Sequence, residues 1–255
     1  MRIISGINKN KNIQSPNLNS THPMGDRERI ALFNMLESEI GSFKGLKVLD
    51  LYAGTGALGL EALSRGASSA TFVENSEKCL KTLRSNILSL SLPPDVSSAS
   101  VVKASVKTLS FSVLDSLKFS KNTDELAKTP KNLDKSPKVP QKTAESADNA
   151  SDKSFDIIFA DPPYGAFYPE DFLPMLNLLN PSGIFVLSSP KSFNPASIIE
   201  KPQTLPSSST PEFLEPSIYE KIPPLVLLKS RTYANSRITL FRNDPASSKF
   251  TESMV

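Results

Sequence analysis

The sequence predicts an α/β fold: a mainly parallel, doubly wound sheet with an antiparallel hairpin at one edge. Three observations carry this. From Gly45 onward, short apolar runs alternate with segments of helical periodicity. That alternation is the pattern of parallel strands joined by right-handed helical crossovers. A loop, Gly54-Thr55-Gly56-Ala57-Leu58-Gly59, joins the first run to the first of these helices. Near the end, two β-rich runs flank the turn formers of "TYANS" in "PLVLLKSRTYANSRITLFR", which reads as a hairpin.

The start, "MRIISGINKNKNIQSPNLNSTHP", reads as a short strand followed by polar loops. "DRERIALFNMLESEI" reads as a helix, with Asp26 as N-cap and Ile30, Phe33, Leu36 and Ile40 on its apolar face. Residues 1–44 thus form an extension ahead of the sheet. "LKVLDLYA" is the first buried strand, and "GALGLEALSRG" a helix with Leu58, Ala62 and Leu63 on one face, stopped by Gly66. "SATFVE" and "SASVVKA" are further strands, separated by the helix "SEKCLKTLRSNILSL" with Ser76 as N-cap. "VKTLSFSVLDSLKF" is expected to be helical. "FDIIFA", "PEDFLPMLNLL" and "SGIFVLSS" give strand, short helix and strand. Two segments break the rhythm. Residues 118–154 are rich in Lys, Ser, Asp, Asn and Pro and nearly free of large apolar side chains. Such a segment cannot offset its ordering entropy, so it is expected to be a disordered insertion. Residues 190–224 are expected to form a Pro- and Ser-rich loop in which only "ASIIEK" could be helical. The expectation is one domain over residues 1–255.

The bulk properties fit that organisation. Hydrophobic residues make up 38% of 255 and there are 21 prolines, as expected of a globular domain diluted by polar insertions. The net charge of +3 is compatible with a nucleic-acid partner without requiring one. The single cysteine, Cys79, excludes an intrachain disulfide and reads as a packing residue. No apolar run approaches the roughly 18 residues of a membrane span, and the start lacks a signal-peptide core. One histidine and one cysteine make a Cys/His metal site untenable. The expectation is a cytoplasmic monomer without a membrane or metal partner.

The glycine loop follows a strand, precedes a helix, and is matched by Glu74 at the end of the next strand. That is the spacing at which an acid takes ribose hydroxyls in dinucleotide sites. Asp50 argues against a dinucleotide, because a carboxylate beside the loop repels a pyrophosphate. It suits S-adenosylmethionine, which carries a sulfonium and an ammonium and has no phosphate. Tyr52, Ala53, Gly54 and Gly56 would let the backbone approach that donor, Glu74 would accept from its ribose, and Ser105 would lie near its adenine.

"FDIIFADPPYG" ends a buried strand in Asp161-Pro162-Pro163-Tyr164. An exocyclic amine on a base is a poor nucleophile, because its lone pair is delocalised into the ring. Two acceptors can hold its hydrogens and favour tetrahedral nitrogen. The Asp161 carboxylate and the Pro162 carbonyl supply them, on a corner stiffened by both prolines. Tyr164 offers a ring on which an extruded base can stack. In a doubly wound sheet this corner and the glycine loop flank one crevice.

These four residues resemble the (D/N)-P-P-(Y/F) motif of class I methyltransferases that act on amino groups. Together with "MRIISG", "DRERIALFN", "VLDLYAGTGALGLEALSRGA" and "KSRTYANSRITLFR", they resemble the bacterial 16S rRNA guanine-N2 methyltransferases of the RsmD type. The resemblance covers roughly residues 1–117, 155–189 and 225–242. It implies a Rossmann-like class I methyltransferase with a mainly parallel seven-stranded sheet. It also implies S-adenosylmethionine as methyl donor and 16S rRNA of the small ribosomal subunit as partner. Asp161, Pro162 and Tyr164 would be catalytic, and Pro163, Arg27 and His22 would contact substrate. His22-Pro23 stands where that family usually has Arg-Pro. Arg2, Arg27 and Arg29 are candidate phosphate contacts. The rival readings are a DNA adenine-N6 methyltransferase and a non-catalytic RNA-binding assembly factor on the same fold. A nicotinamide dehydrogenase would need the loop to bind a dinucleotide.

Overall fold

The computed structural model describes residues 1–15, 24–91, 98–109, 154–199 and 222–247. Its centre is one seven-stranded sheet in the order β3-β2-β1-β4-β5-β7-β6. The strands are β1 (Lys47–Leu51), β2 (Ser69–Glu74), β3 (Ser98–Lys103), β4 (Phe155–Ala160), β5 (Leu179–Pro190), β6 (Leu225–Thr232) and β7 (Ser236–Asn243). The first five pair in parallel, and the β5–β7 and β7–β6 pairs are antiparallel. The C-terminal hairpin therefore joins the β5 edge through its second strand. Its turn closes with Tyr233 N–H donating to the Ser236 carbonyl at 2.7 Å.

The helices are α1 (Asp26–Ile40), α2 (Ala57–Ser64), α3 (Glu77–Ser89) and α4 (Pro169–Phe172), which runs into a 3-10 segment over Leu173–Leu178. Both sheet faces are covered, which is why the central strands read as unbroken apolar runs. Val48, Ile157 and Phe159 enter the core shared with α1, α2 and α3. Leu49, Leu51, Ile158 and Ala160 enter the opposite core, under Phe172 and Leu176. The alternation is the two-residue period of a strand.

The structure corrects several expectations. The "MRIISG" segment forms only an isolated antiparallel bridge, Arg2 with Asn12, with Met1 and Ile3 bonded to residues 10–13, because from Ile4 onward its backbone turns to α2. Ile4 and Ser5 N–H donate to the buried Glu61 carboxylate at 2.7 and 3.0 Å. Ile7 N–H donates to the Ser64 carbonyl at 2.9 Å, and the Ser64 hydroxyl donates to the Ser5 carbonyl at 2.6 Å. The segment thus takes up free groups at the end of α2. Asp26 is the first helical residue and Gly25 the N-cap; the Asp26 carboxylate instead pairs with Arg29 at 2.9 Å. The buried arc of α1 is Arg29, Leu32, Phe33 and Leu36, and Ile30 is 41% exposed. Phe33 and Leu36 are buried and Ile40 packs against the core as expected; the error was to place the apolar Ile30, not the charged Arg29, on that face. In the 190–224 loop the described residues contain a 3-10 turn at Pro195–Ile198. Of the helix expected from Val106, the described part is a 3-10 turn, Val106–Thr108. The remainder and most of the 118–154 insertion lie outside the described residues.

Gly6 tests this docking. Its φ is +79°, and an added Cβ would lie 1.7 Å from the Ser64 carbonyl oxygen. Gly41 has φ +72° with open space around it. In urea unfolding, Gly6→Ala is expected to cost about 2–4 kcal/mol, strain plus clash, and Gly41→Ala about 1 kcal/mol, strain alone.

Candidate active site

Strand order reverses at β1, whose two neighbours are β2 and β4. Such a switch point opens a crevice at the carboxyl ends of the strands. A cleft of about 1080 Å³ lies there, roughly at the top of the usual size range for ligand sites. Asp50, Tyr52, Ala53, Gly54, Glu74 and Ser105 line one side; Asp161, Pro162, Pro163 and Tyr164 line the other. Gly56 stands behind the wall rather than in it. Its φ is +84°, and a Cβ would lie 2.4 Å from Leu83 Cδ1, so it shapes the loop by allowing close packing. Arg27 is exposed and not among the cleft residues. His22 lies outside the described residues.

The loop is held from two strands. Glu74 Oε2 accepts from Gly54 N–H at 2.7 Å, and Oε1 accepts from Asn75 and Ser76 N–H at 2.9 and 2.7 Å. Asp50, 1% exposed, accepts from Gly59 N–H at 3.0 Å through Oδ2, anchoring the first turn of α2 from below. Tyr52, between them, has φ +62°, a strained value that non-glycine residues retain where the surroundings impose it.

Burial pushes the Asp50 carboxyl up to about 7, partly offset by the Gly59 N–H and reinforced by Asp161 and Glu74. Burial also pushes Asp161 up to about 6, offset by the Ser188 hydroxyl and reinforced by Glu28. Tyr164 is 39% exposed, yet its hydroxyl is fixed to Ser188 Oγ at 2.8 Å. Cys79 also lines the cleft, but it is buried and its thiol is pushed up by burial, so it is not an activated nucleophile.

Arg29 corrects the phosphate expectation. It is fully buried in the cleft wall, donating to the Arg2 carbonyl at 2.5 Å and to Asp26 at 2.9 Å. A surface phosphate does not reach it. Glu28, Ser188 and Ser236 were missed, because nothing in their local sequence marks them. They come together only when α1, β5 and β7 pack.

The sheet order and the cleft at its switch point define a Rossmann-like fold. A solved structure described as "Putative methyltransferase yhhF from Escherichia coli" shares the fold, with a TM-score of 0.58, 22% identity, and coverage of 96% of this chain and 98% of that one. Residues 1–119 match the family model "Conserved hypothetical protein 95". "Putative rRNA methyltransferase YlbH" of Bacillus subtilis is 40% identical over 92 residues, 36% of this chain and 48% of the relative. "Ribosomal RNA small subunit methyltransferase D" of Buchnera aphidicola is 30% identical over 164 residues, 64% of this chain and 61% of the relative. An "Uncharacterized methylase" of Rickettsia prowazekii is 32% identical over 183 residues, 64% of this chain and 73% of the relative. The chain belongs to this RsmD-like family. It spans about half of the Bacillus relative and three-fifths of the Buchnera one.

The raised Asp50 pKa has a stability consequence. The folded state holds a proton that the unfolded chain releases, so stability falls with rising pH from about 4 to about 7 and is flat beyond. Asp50→Asn keeps an acceptor for Gly59 and removes the buried charge. Thermal unfolding at pH 8 is expected to show it more stable by on the order of 4 kcal/mol, with only the shallower decline up to about pH 6 that Asp161 contributes.

Proposed function

We propose that the chain transfers a methyl group from S-adenosylmethionine to the exocyclic N2 amine of a guanine in 16S rRNA. The observation that carries this reading is the shared cleft, in which the Asp161–Tyr164 corner faces the glycine loop and Glu74. The small-subunit rRNA substrate is taken from the name of the Buchnera relative.

The residues present fit the donor. The sulfonium supplies an electrophilic methyl group. Asp50, Glu74 and Asp161 bring three carboxyl groups to one cleft, and a cationic ligand favours their ionisation where a pyrophosphate opposes it. Of the roughly four acceptor sites on the Glu74 carboxylate, three are filled by backbone N–H groups. Oε2 keeps one for a ribose hydroxyl. Ser105 and Val106 line the cleft beyond the β3 end, on the adenine side.

On the acceptor side, Asp161 and the Pro162 carbonyl hold the amine hydrogens, and Pro163 stiffens the corner. The Tyr164 ring, pinned at its hydroxyl, presents its face to the base. Base stacking of this kind is worth about 1–3 kcal/mol. Asp161 is also the group into which the departing amine proton passes, and its raised pKa suits a base working near neutrality. Arg27, exposed at the start of α1, is available to rRNA at the surface.

The test uses small ribosomal subunits that lack the modification, labelled donor, and mass spectrometry of the digested rRNA. N2-methylguanine at one position is the expected product. Asp161→Ala is expected to lower the single-turnover rate by about 10²–10⁴-fold while donor affinity, measured by calorimetry, stays within about threefold. A variant as active as the parent protein, or methylation only of naked duplex DNA, overturns the reading.

A further inference from the structure

Arg29 is a buried cation with donors to spare. It is 0% exposed, and it belongs to the cleft wall together with Met24, Tyr164 and Asn235. That part of the wall comes from α1 and the β6–β7 turn, which Ser236 Oγ ties together by donating to Glu28 Oε1 at 3.1 Å. A guanidinium carries five N–H groups and stays charged at any working pH. Nη2 spends its hydrogens on the Arg2 carbonyl and the Asp26 carboxylate. Nε and Nη1 are both buried and have no partner among the described residues.

Two anchors on one nitrogen fix the plane of a rigid group, so Nη1 is held in a set direction. Unmet donors on a buried charge are costly, and only acceptor atoms can meet them. A ligand that brings an acceptor into the cleft recovers that cost. Asp161, in the same cleft, takes the amine of the base, so the acceptor must lie elsewhere on the base. Guanine has one in O6, across N1 from the N2 amine, with a second acceptor, N7, beside it. Adenine carries an amine at that position and has no carbonyl. An extruded base enters the cleft, whereas a backbone phosphate stays at the surface and does not reach a buried side chain.

We propose that Arg29 is the residue that selects the acceptor base, donating from Nη1 to guanine O6 while Asp161 and the Pro162 carbonyl hold N2. This rests on the guanine-N2 methylation proposed above and adds what reads the base. The two contacts fall on opposite flanks of the base and come from different elements, Arg29 from α1 and Asp161 from the end of β4. The Asp161 corner alone does not choose guanine, because two acceptors will hold any exocyclic amine. A site built around a hydrogen bond rejects an analogue that lacks the partner, since its own buried group is then left unmet. The unmet donors of Arg29 have that form.

The experiment compares single-turnover methylation of reconstituted small subunits that carry guanine or 2-aminopurine at the modified position. 2-Aminopurine keeps the N2 amine and lacks O6. The parent protein is expected to favour guanine roughly tenfold to a hundredfold. Arg29→Lys keeps the charge and a donor for Asp26 and the Arg2 carbonyl, and removes Nη1. Its preference for guanine is expected to collapse to within about threefold, whatever its absolute rates. A loss that is equal on both bases overturns the proposal, because Arg29 would then serve the fold or a phosphate. Unchanged rates on both bases overturn it as well. Arg29→Gln replaces Arg29→Lys if that variant does not fold. Should neither fold, the parent protein decides: a preference for guanine under about threefold overturns the proposal, and one above about tenfold supports it. A parent protein that methylates neither base refutes the proposed function and this inference together, whereas one that methylates both alike refutes this inference alone.

Discussion

Leu51 of β1 lies opposite Ala160 of β4 on one side and Val73 of β2 on the other, and the cleft depends on that pairing. Because the three strands are parallel, their carboxyl ends emerge side by side. The next residues are Tyr52 and the glycine loop, Asp161 and its corner, and Glu74. A slip of one residue in β4 would exchange the faces of Ile157, Ile158, Phe159 and Ala160. Each of these is buried against one of two separate cores, so a slip costs apolar burial on both sides of the sheet at once. The register is thereby locked, and the distance between the two halves of the cleft with it.

The cleft works against stability to hold its charge. Asp50, Glu74 and Asp161 share one space, and burial together with mutual repulsion holds two of them well above the usual carboxylate range. The structure offsets part of this with backbone donors: Gly59 to Asp50, and Gly54, Asn75 and Ser76 to Glu74. Each of those bonds also fixes a piece of the loop. The same field is unfavourable to phosphate and favourable to a cation, so the electrostatic cost and the selectivity have a common origin.

Legibility followed the range of the interactions. Strands and turns were readable because their signals are local: two-sided apolar runs for β1 and β4, the Ser76 N-cap, whose hydroxyl accepts from Cys79 N–H, and turn formers between β6 and β7. The loop and the Asp161–Tyr164 corner were readable because each is a continuous stretch of chain. On the α1 face only Ile30 was misread, because a buried arginine beside it was not expected. Arg29 is tolerated there through Asp26 and the Arg2 carbonyl, and the second partner is distant in sequence. The strand expected at the start of the chain shrinks to a bridge with residues 10–13, because the next residues give their N–H groups to the distant Glu61.

By itself the sequence determined the order of the elements, the two-sided burial of the central strands, the backbone freedom of the glycine loop and the residues that make up the Asp161 corner. All of these depend on residues within one turn or one strand of each other. Only the tertiary structure decided that Gly56 stands behind the cleft and that Asp50 anchors α2. Tertiary packing also decided that Ser188 meets the Tyr164 hydroxyl and that Ser236 meets the Glu28 carboxylate. The physical reason is that hydroxyls and carboxylates carry no local conformational preference that reveals their partners. Their roles are set by which polar groups packing leaves facing one another once water is excluded.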